Sequence, residues 1–342
     1  MDYIKSINFK RLIIISLFVI LVIASMLIGA LESVTVKSLF QGDQTSWMVI
    51  WSSRLPRTLA VILSAAGLSV AGLIMQAISR NKFMSPSTAG ASDAAGLGIM
   101  IAYIALNTQE GIIKTIFGFF FALIATLLFT SVINRMKIRE VVYVPLIGMM
   151  YGGLISAITT LICYHFDAMQ LFAAINQGSF ARIGSFATVY IIIVPVVLAM
   201  FYAARFSIIG LGEDFSKNLG LNYNRVVFLG LVIIALISAA SYTAVGPLPF
   251  VGLIIPNMTT TFYGDNIKKS MLDLMFFGAD FVLICDIISR LVIFPFEMSV
   301  SLTISVIGGI VFMGYVIATM RKGKYRGKKS VTPSTAKASG EE

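Results

Sequence analysis

The chain has 342 residues, 58% of them hydrophobic and 12% charged, with 26 basic against 16 acidic side chains and a net charge of +10. Soluble domains average about 25% charged residues, so this composition excludes a disordered chain, a coiled coil and an ordinary soluble enzyme. The basic residues lie in short clusters between apolar runs, not in a stripe interleaved with aromatics, so no nucleic-acid partner is expected. What remains is an all-α polytopic membrane protein.

A helix needs about 20 apolar residues to cross roughly 30 Å of hydrocarbon. Such runs occupy 12–31, 57–78, 112–133, 141–163, 188–207, 225–244, 271–293 and 300–319. Two shorter pieces, 93–106 and 250–262, each follow a Gly/Pro-rich stretch and are too short to span alone. Counting both predicts ten transmembrane helices. Short cytoplasmic loops are enriched in Lys and Arg. An inner N-terminus with ten crossings puts 20 basic residues inside and five outside (Lys37, Arg54, Arg57, Lys114, Arg182), with Arg290 inside a span. Both termini are therefore expected in the cytoplasm. The first run exceeds the roughly 7–15 residues of a signal-peptide core and reads as an anchor. Residues 1–320 form one membrane domain. Residues 321–342 form a basic, disordered cytoplasmic tail, either a stop-transfer flank or a contact for anionic membrane lipid.

The first short piece follows Arg80-Asn81-Lys82-Phe83-Met84-Ser85-Pro86, and the second follows Gly246-Pro247-Leu248-Pro249-Phe250-Val251-Gly252 and contains Pro256. Proline removes a backbone donor and clashes with the preceding turn, so neither stretch is expected to run as continuous helix. Interruptions at corresponding places in two halves point to an inverted repeat, with the first break at the inner side and the second at the outer.

A charge at mid-bilayer costs about 2.5–3.5 kcal/mol on insertion scales. The ninth span carries Asp273, Asp280, Asp286 and Arg290. Asp286 and Arg290, four apart, can pair on one helical face. The set reads as a structural network or, alternatively, as an ion relay. Arg54 and Arg57 flank Pro56 at the outer start of the second span, where they suit lipid headgroups or an acidic docking partner. The inner loop 208–224 holds Glu213 and Asp214 in the first turn of a short helix, Gly220 at its C-cap, and Leu211, Phe215 and Leu219 every four residues. That apolar stripe reads as a docking knob. Cys163 and Cys285 lie in separate spans, and His165 with Asp167 starts a loop; no metal or cofactor site is expected. There is no phosphate loop, no HExxH and only one His, so no catalytic role is expected.

Together these segments resemble the FecCD-type permeases, the membrane subunits of ATP-binding cassette (ABC) importers for iron-siderophores, haem and vitamin B12. The matching motifs are Arg54-Leu55-Pro56-Arg57-Thr58-Leu59, Ala71-Gly72-Leu73-Ile74-Met75-Gln76-Ala77 leading to Arg80-Asn81, and Gly212-Glu213-Asp214 with Leu219-Gly220. Phe250-Val251-Gly252-Leu253-Ile254-Ile255-Pro256-Asn257 and Cys285-Asp286 with Arg290 and Glu297 follow in the same order. The stretch Phe83 to Gly90 is similar to the branch serving catecholate siderophores. The resemblance implies a permease dimer, identical or mixed, and two cytoplasmic ATPases on the loop matching Gly212, Glu213, Asp214, Leu219 and Gly220. It implies an extracellular substrate-binding lipoprotein whose acids meet Arg54, Arg57 and Arg290. A gate and translocation path would run near Asn81, Phe83, Pro86, Pro256 and Asn257. Here Lys82-Phe83 stands where the family commonly has Pro-Leu, and Asn257 where it often has His. The expected substrate is a ferric siderophore, and the rivals are an ion-coupled transporter using Asp286 and Arg290, and an intramembrane enzyme.

Overall fold

The computed structural model describes residues 2–29, 44–136, 142–180, 186–263 and 267–329. Ten of the described helices have thirteen residues or more: α1 (Asp2–Leu27), α2 (Leu55–Ser79), α3 (Ala91–Leu106), α4 (Gly111–Met136), α5 (Tyr143–His165), α6 (Ile193–Ile209), α7 (Tyr223–Val245), α8 (Val251–Tyr263), α9 (Ile267–Leu291) and α10 (Val300–Lys329). No strand occurs among the described residues. Six helical runs are long and apolar enough to cross a membrane unaided. The chain is a multi-pass, all-α membrane protein. Of the remainder, α3 and α8 are the short pieces expected, and α9 is long but carries acids.

The helices pack as two interchangeable sets. α2 lies on α9 and α8, and α7 lies on α4 and α3; α3 meets α4 and α5 as α8 meets α9 and α10. Exchanging α2 with α7, α3 with α8, α4 with α9 and α5 with α10 preserves every one of these contacts, and α2 and α7 touch at the centre. Five crossings per set make the second set antiparallel to the first, which is the inverted repeat. α2 and α7 carry the core: 83% of the most apolar stretch of the α2 run is buried, against 22% in α10. The first helix of each set breaks the symmetry, since α1 packs mainly on α9 whereas α6 packs on α2, α7 and α9.

Several boundaries differ from expectation. A helical run from Gln44, with a π-turn at Ile50–Arg54, precedes α2. The expected sixth span divides into Phe186–Tyr190 and α6. α10 continues to Lys329, into the stretch expected to be a disordered tail. Residues 330–342, Lys37, Lys137, Arg139 and Arg182 lie outside the described residues.

The second break is shorter than expected. Gly246–Phe250 interrupts the chain, but α8 runs as helix through Pro256. Proline at 256 leaves the Gly252 carbonyl, four residues earlier, without its helical donor. That carbonyl faces Gly72 of α2, where a Cβ would lie 1.9 Å from it. Buried neighbours of this kind are why proline is tolerated in membrane helices.

Candidate functional site

Three clusters emerge along one axis of the molecule. The first lies at the end of the bundle where α2 starts and α9 finishes. Asp286 takes Arg57 on one oxygen, with Nη2–Oδ1 at 2.8 Å and Nε–Oδ1 at 3.3 Å, and Arg290 on the other. Arg57 also donates through Nη1 to both oxygens of Glu297, at 2.8 and 2.7 Å. Arg57 and Arg290 are thus each paired with a carboxylate, as charges withdrawn from water require. The C-terminal end of α1 completes it. Arg290 Nη1 donates to the carbonyls of Ser25 (2.9 Å) and Ile28 (2.7 Å), and Arg54 Nη1 to those of Met26 (2.8 Å) and Leu27 (2.7 Å). The last carbonyls of a helix lack intrahelical donors and carry partial negative charge, so two arginines suit them. At its other end α1 is pinned to the same helix by Arg11, whose Nε and Nη2 reach Asp273 at 2.7 and 2.8 Å. Phe18 meets Phe276 edge to face between the two pins.

Asp273 and Asp286 of the ninth span are thus both paired inside the chain, and Asp286 meets Arg290 at the expected spacing. Asp280 is the exception: it is 3% exposed and has no hydrogen-bond partner among the described residues. Arg54 and Arg57, expected at the outer surface, are buried at 5% and 9% exposed, as is Arg290 within its span at 3%. All three are engaged inside the chain, by the buried Asp286, by Glu297 and by the carbonyls at the end of α1. Glu297 and Ser25, which complete the cluster, were not among the expected site residues. Glu297 stood within the motif beside Asp286 and Arg290; Ser25 gave no signal in its apolar run.

The second cluster lies at the opposite end. α2 stops at Ser79 with Arg80 in the left-handed region (φ 49°), and Asn81 N–H and Arg80 N–H return to the carbonyls of Gln76 and Ala77. Asn81 Oδ1 accepts from Phe83 N–H at 2.9 Å, bending the chain inward. The Lys82 carbonyl then accepts from Gln76 Nε2 (3.0 Å) and from Asn257 Nδ2 of α8 (2.7 Å). The two departures from the family pattern, Lys82-Phe83 and Asn257, therefore meet each other. Asn257 also donates to the Leu253 carbonyl at 2.7 Å. Phe83 sits edge-on to Phe312 of α10, and a Cβ on Gly252 would lie 3.0 Å from Pro86, so the expected gate residues form one contiguous set. Gln76 was not among the expected site residues, although it stands in the Ala71 to Ala77 motif as a lone amide in an apolar span.

The third cluster is the loop beside the expected gate residues. Gly212 (φ 116°) opens the six-residue helix Glu213–Asn218, and its carbonyl accepts from Ser216 N–H and Oγ. Gly220 (φ 77°) closes it in a Schellman turn, with Gly220 N–H on the Lys217 carbonyl and Leu221 N–H on that of Ser216. Glu213 and Lys217 pair at 2.7 Å on its surface, and this hydrogen bond raises the Lys217 ammonium pKa above its ordinary value. Leu211, Phe215 and Leu219 are 64%, 51% and 56% exposed, so the apolar stripe faces away from the bundle. A cavity of about 270 Å³ lined by Gln76, Arg80, Asn81, Lys82 and Leu211 separates the loop from the gate.

Two broken half-helices at opposite faces, a polar clamp at one end and an exposed knob at the other define a transport permease rather than an enzyme. A family model for the FecCD transport family matches residues 15–319, and the chain belongs to that family. It is 41% identical over 299 residues to the petrobactin import system permease protein YclN of Bacillus subtilis, covering 87% of this chain and 94% of that one. It is 35% identical to the ferric-anguibactin transport system permease protein FatD of Vibrio anguillarum, covering 80% of this chain and 88% of that one. Among solved structures, an inward-facing ABC transporter described as of the metal-chelate type matches 91% of this chain and 99% of its own, at 22% identity and a TM-score of 0.76. That likeness concerns the fold.

Proposed function

We propose that the chain is the membrane permease of an ABC importer that carries a ferric siderophore into the cytoplasm, driven by two separate ATPase subunits and paired with a second permease chain. The observation that carries this reading is the exposed Leu211, Phe215 and Leu219 stripe on a helix set rigidly between two glycine caps. A cytoplasmic ATPase needs such a knob; a self-contained ion-coupled carrier does not. The relatives named for petrobactin and anguibactin import support the siderophore class. The face bearing Arg80, Lys217 and Arg225 is the cytoplasmic one on this reading, as the distribution of basic residues expects. Trp47 and Trp51, 47% and 64% exposed at the other end, suit the outer headgroup belt. The rival use of Asp286 as an ion ligand is disfavoured because both of its oxygens are occupied by arginine.

Glu213→Lys tests the loop. The Glu213–Lys217 pair is solvent-exposed, and exposed pairs contribute little to a fold. The variant should therefore be as stable as the parent yet lose ATPase co-purification and ATP-driven uptake. Normal co-purification with normal uptake would remove the coupling role.

Docking of the binding lipoprotein proceeds by exchange at the outer cluster. Glu297 is its most accessible member, with 23% of the side chain exposed, and it occupies Arg57. An acid of the partner takes its place. Glu297→Gln should then tighten capture of the lipoprotein at least about tenfold, since one competing charge-assisted hydrogen bond is worth about 1.5–3 kcal/mol. Weaker or unchanged capture in a titration of the reconstituted permease would overturn the exchange.

A further inference from the structure

On the far side of the coupling helix a second cavity, of about 440 Å³, opens between the end of α6 and the start of α7. Its polar wall is made by Tyr202 and Arg205 of α6 and by Asn222 and Arg225 of α7. Arg205 lies over the Tyr202 ring, 4.4 Å from its centroid, which holds the guanidinium against the wall while leaving its N–H groups outward. Arg225 stands in the first turn of α7, where the helix dipole adds positive potential and an acidic residue is the usual choice, although its own N–H is capped by Asn222 Oδ1 at 3.2 Å. None of the residues lining the cavity is acidic, and none is acidic in that first turn. Two guanidinium groups and a helix start thus converge with no carboxylate among the lining residues.

The other wall is apolar. Phe228 and Leu229 continue the cavity along α7, with Phe228 51% exposed, and Phe201, 79% exposed, extends the same surface on α6. An occupant that is anionic at one end and apolar at the other fits both walls. We infer that this cavity binds an anionic phospholipid of the inner leaflet, with the phosphate on Arg205 and Arg225 and an acyl chain along Phe201 and Phe228. Basic pockets between helices at the cytoplasmic boundary recognise such headgroups. Gly220 and Leu221, the cap of the coupling helix, form part of the same lining, so the headgroup abuts the element that meets the ATPase. The inference rests on the proposed orientation, which places this face at the inner boundary.

Native mass spectrometry of the full-length protein in detergent, titrated with phosphatidylglycerol or phosphatidylcholine, tests it. The parent should retain phosphatidylglycerol about thirtyfold more tightly than phosphatidylcholine, as expected for two arginines near a headgroup. Arg205→Ala with Arg225→Ala should abolish the preference. Both side chains are exposed, so folding is not at stake. Lys268→Ala, an exposed cation of the same face outside the cavity, should leave the preference intact. An unchanged preference in the double variant, or equal loss in the Lys268 variant, would overturn the site. Displacement of the lipid by millimolar inorganic phosphate would assign the cavity to a soluble anion and overturn the lipid. ATP-driven uptake is read in parallel: normal uptake without lipid retention sinks this inference alone, whereas absent uptake with lipid retention sinks the transport reading alone.

Discussion

Asp286→Ala should lower stability by about 3–5 kcal/mol, the range for breaking a buried ion pair by deleting one partner. Asp286 is fully buried and receives two arginines that are themselves 9% and 3% exposed. Without it, Arg57 keeps Glu297, but Arg290 is left with neutral acceptors only, the Ser25 hydroxyl and carbonyl and the Ile28 carbonyl. The seam between α1 and α9 would then hold by Arg11–Asp273, by the bonds of an uncompensated Arg290 to Ser25 and Ile28, and by apolar packing. Asp286→Asn should cost less, because the amide oxygen still accepts one guanidinium. Unfolding in mixed detergent micelles measures both. The double variant Asp286→Ala with Arg57→Ala should lose less than the sum of the single losses, since the two residues share one interaction. A single-variant loss below about 1 kcal/mol, the range of exposed pairs, would show the clamp to be unimportant.

Gly72→Ala should be the most damaging one-carbon change in the core. The new methyl would lie 1.9 Å from the Gly252 carbonyl oxygen and 2.6 Å from its Cα, backbone atoms that cannot rotate away. α2 and α8 must separate, and overpacking of this kind costs about 1–3 kcal/mol or more. The consequence for transport exceeds the consequence for stability. Gly252 also abuts Pro86, and α8 carries Asn257, whose amide holds the Lys82 carbonyl. Moving α8 outward therefore unlatches the break between α2 and α3. Uptake should be lost while membrane insertion is retained. Gly309→Ala, where nothing lies within 4 Å, is the control and should behave as the parent. Uptake unaffected by Gly72→Ala would disconnect this contact from the gate.

Most helices were legible because membrane solvation leaves a strong signal: an apolar run of spanning length has few alternatives. α4, α5, α7 and α8 fall within three residues of their expected limits at each end. The π-turn at Ile50–Arg54 and the division before α6 were not legible, since neither alters composition. Pro256 misled because local chemistry forbids a central proline, while the packing of α8 on Gly72 of a distant helix accommodates it. The Asp286–Arg290 pair was legible from spacing alone. That Arg57 joins it from 229 positions away was not, and this long-range closure turns surface-seeming arginines into buried ones. The Lys82–Asn257 contact, across 175 positions, lay hidden in two separate departures from the family pattern.

The most direct test is uptake into proteoliposomes holding the permease with its ATPase, supplied with binding lipoprotein and ferric siderophore. Accumulation of iron should require ATP on the ATPase side and persist when proton and sodium gradients are collapsed. Accumulation driven by an ion gradient without ATP, and abolished by Asp286→Asn in stable protein, would contradict an ABC importer permease.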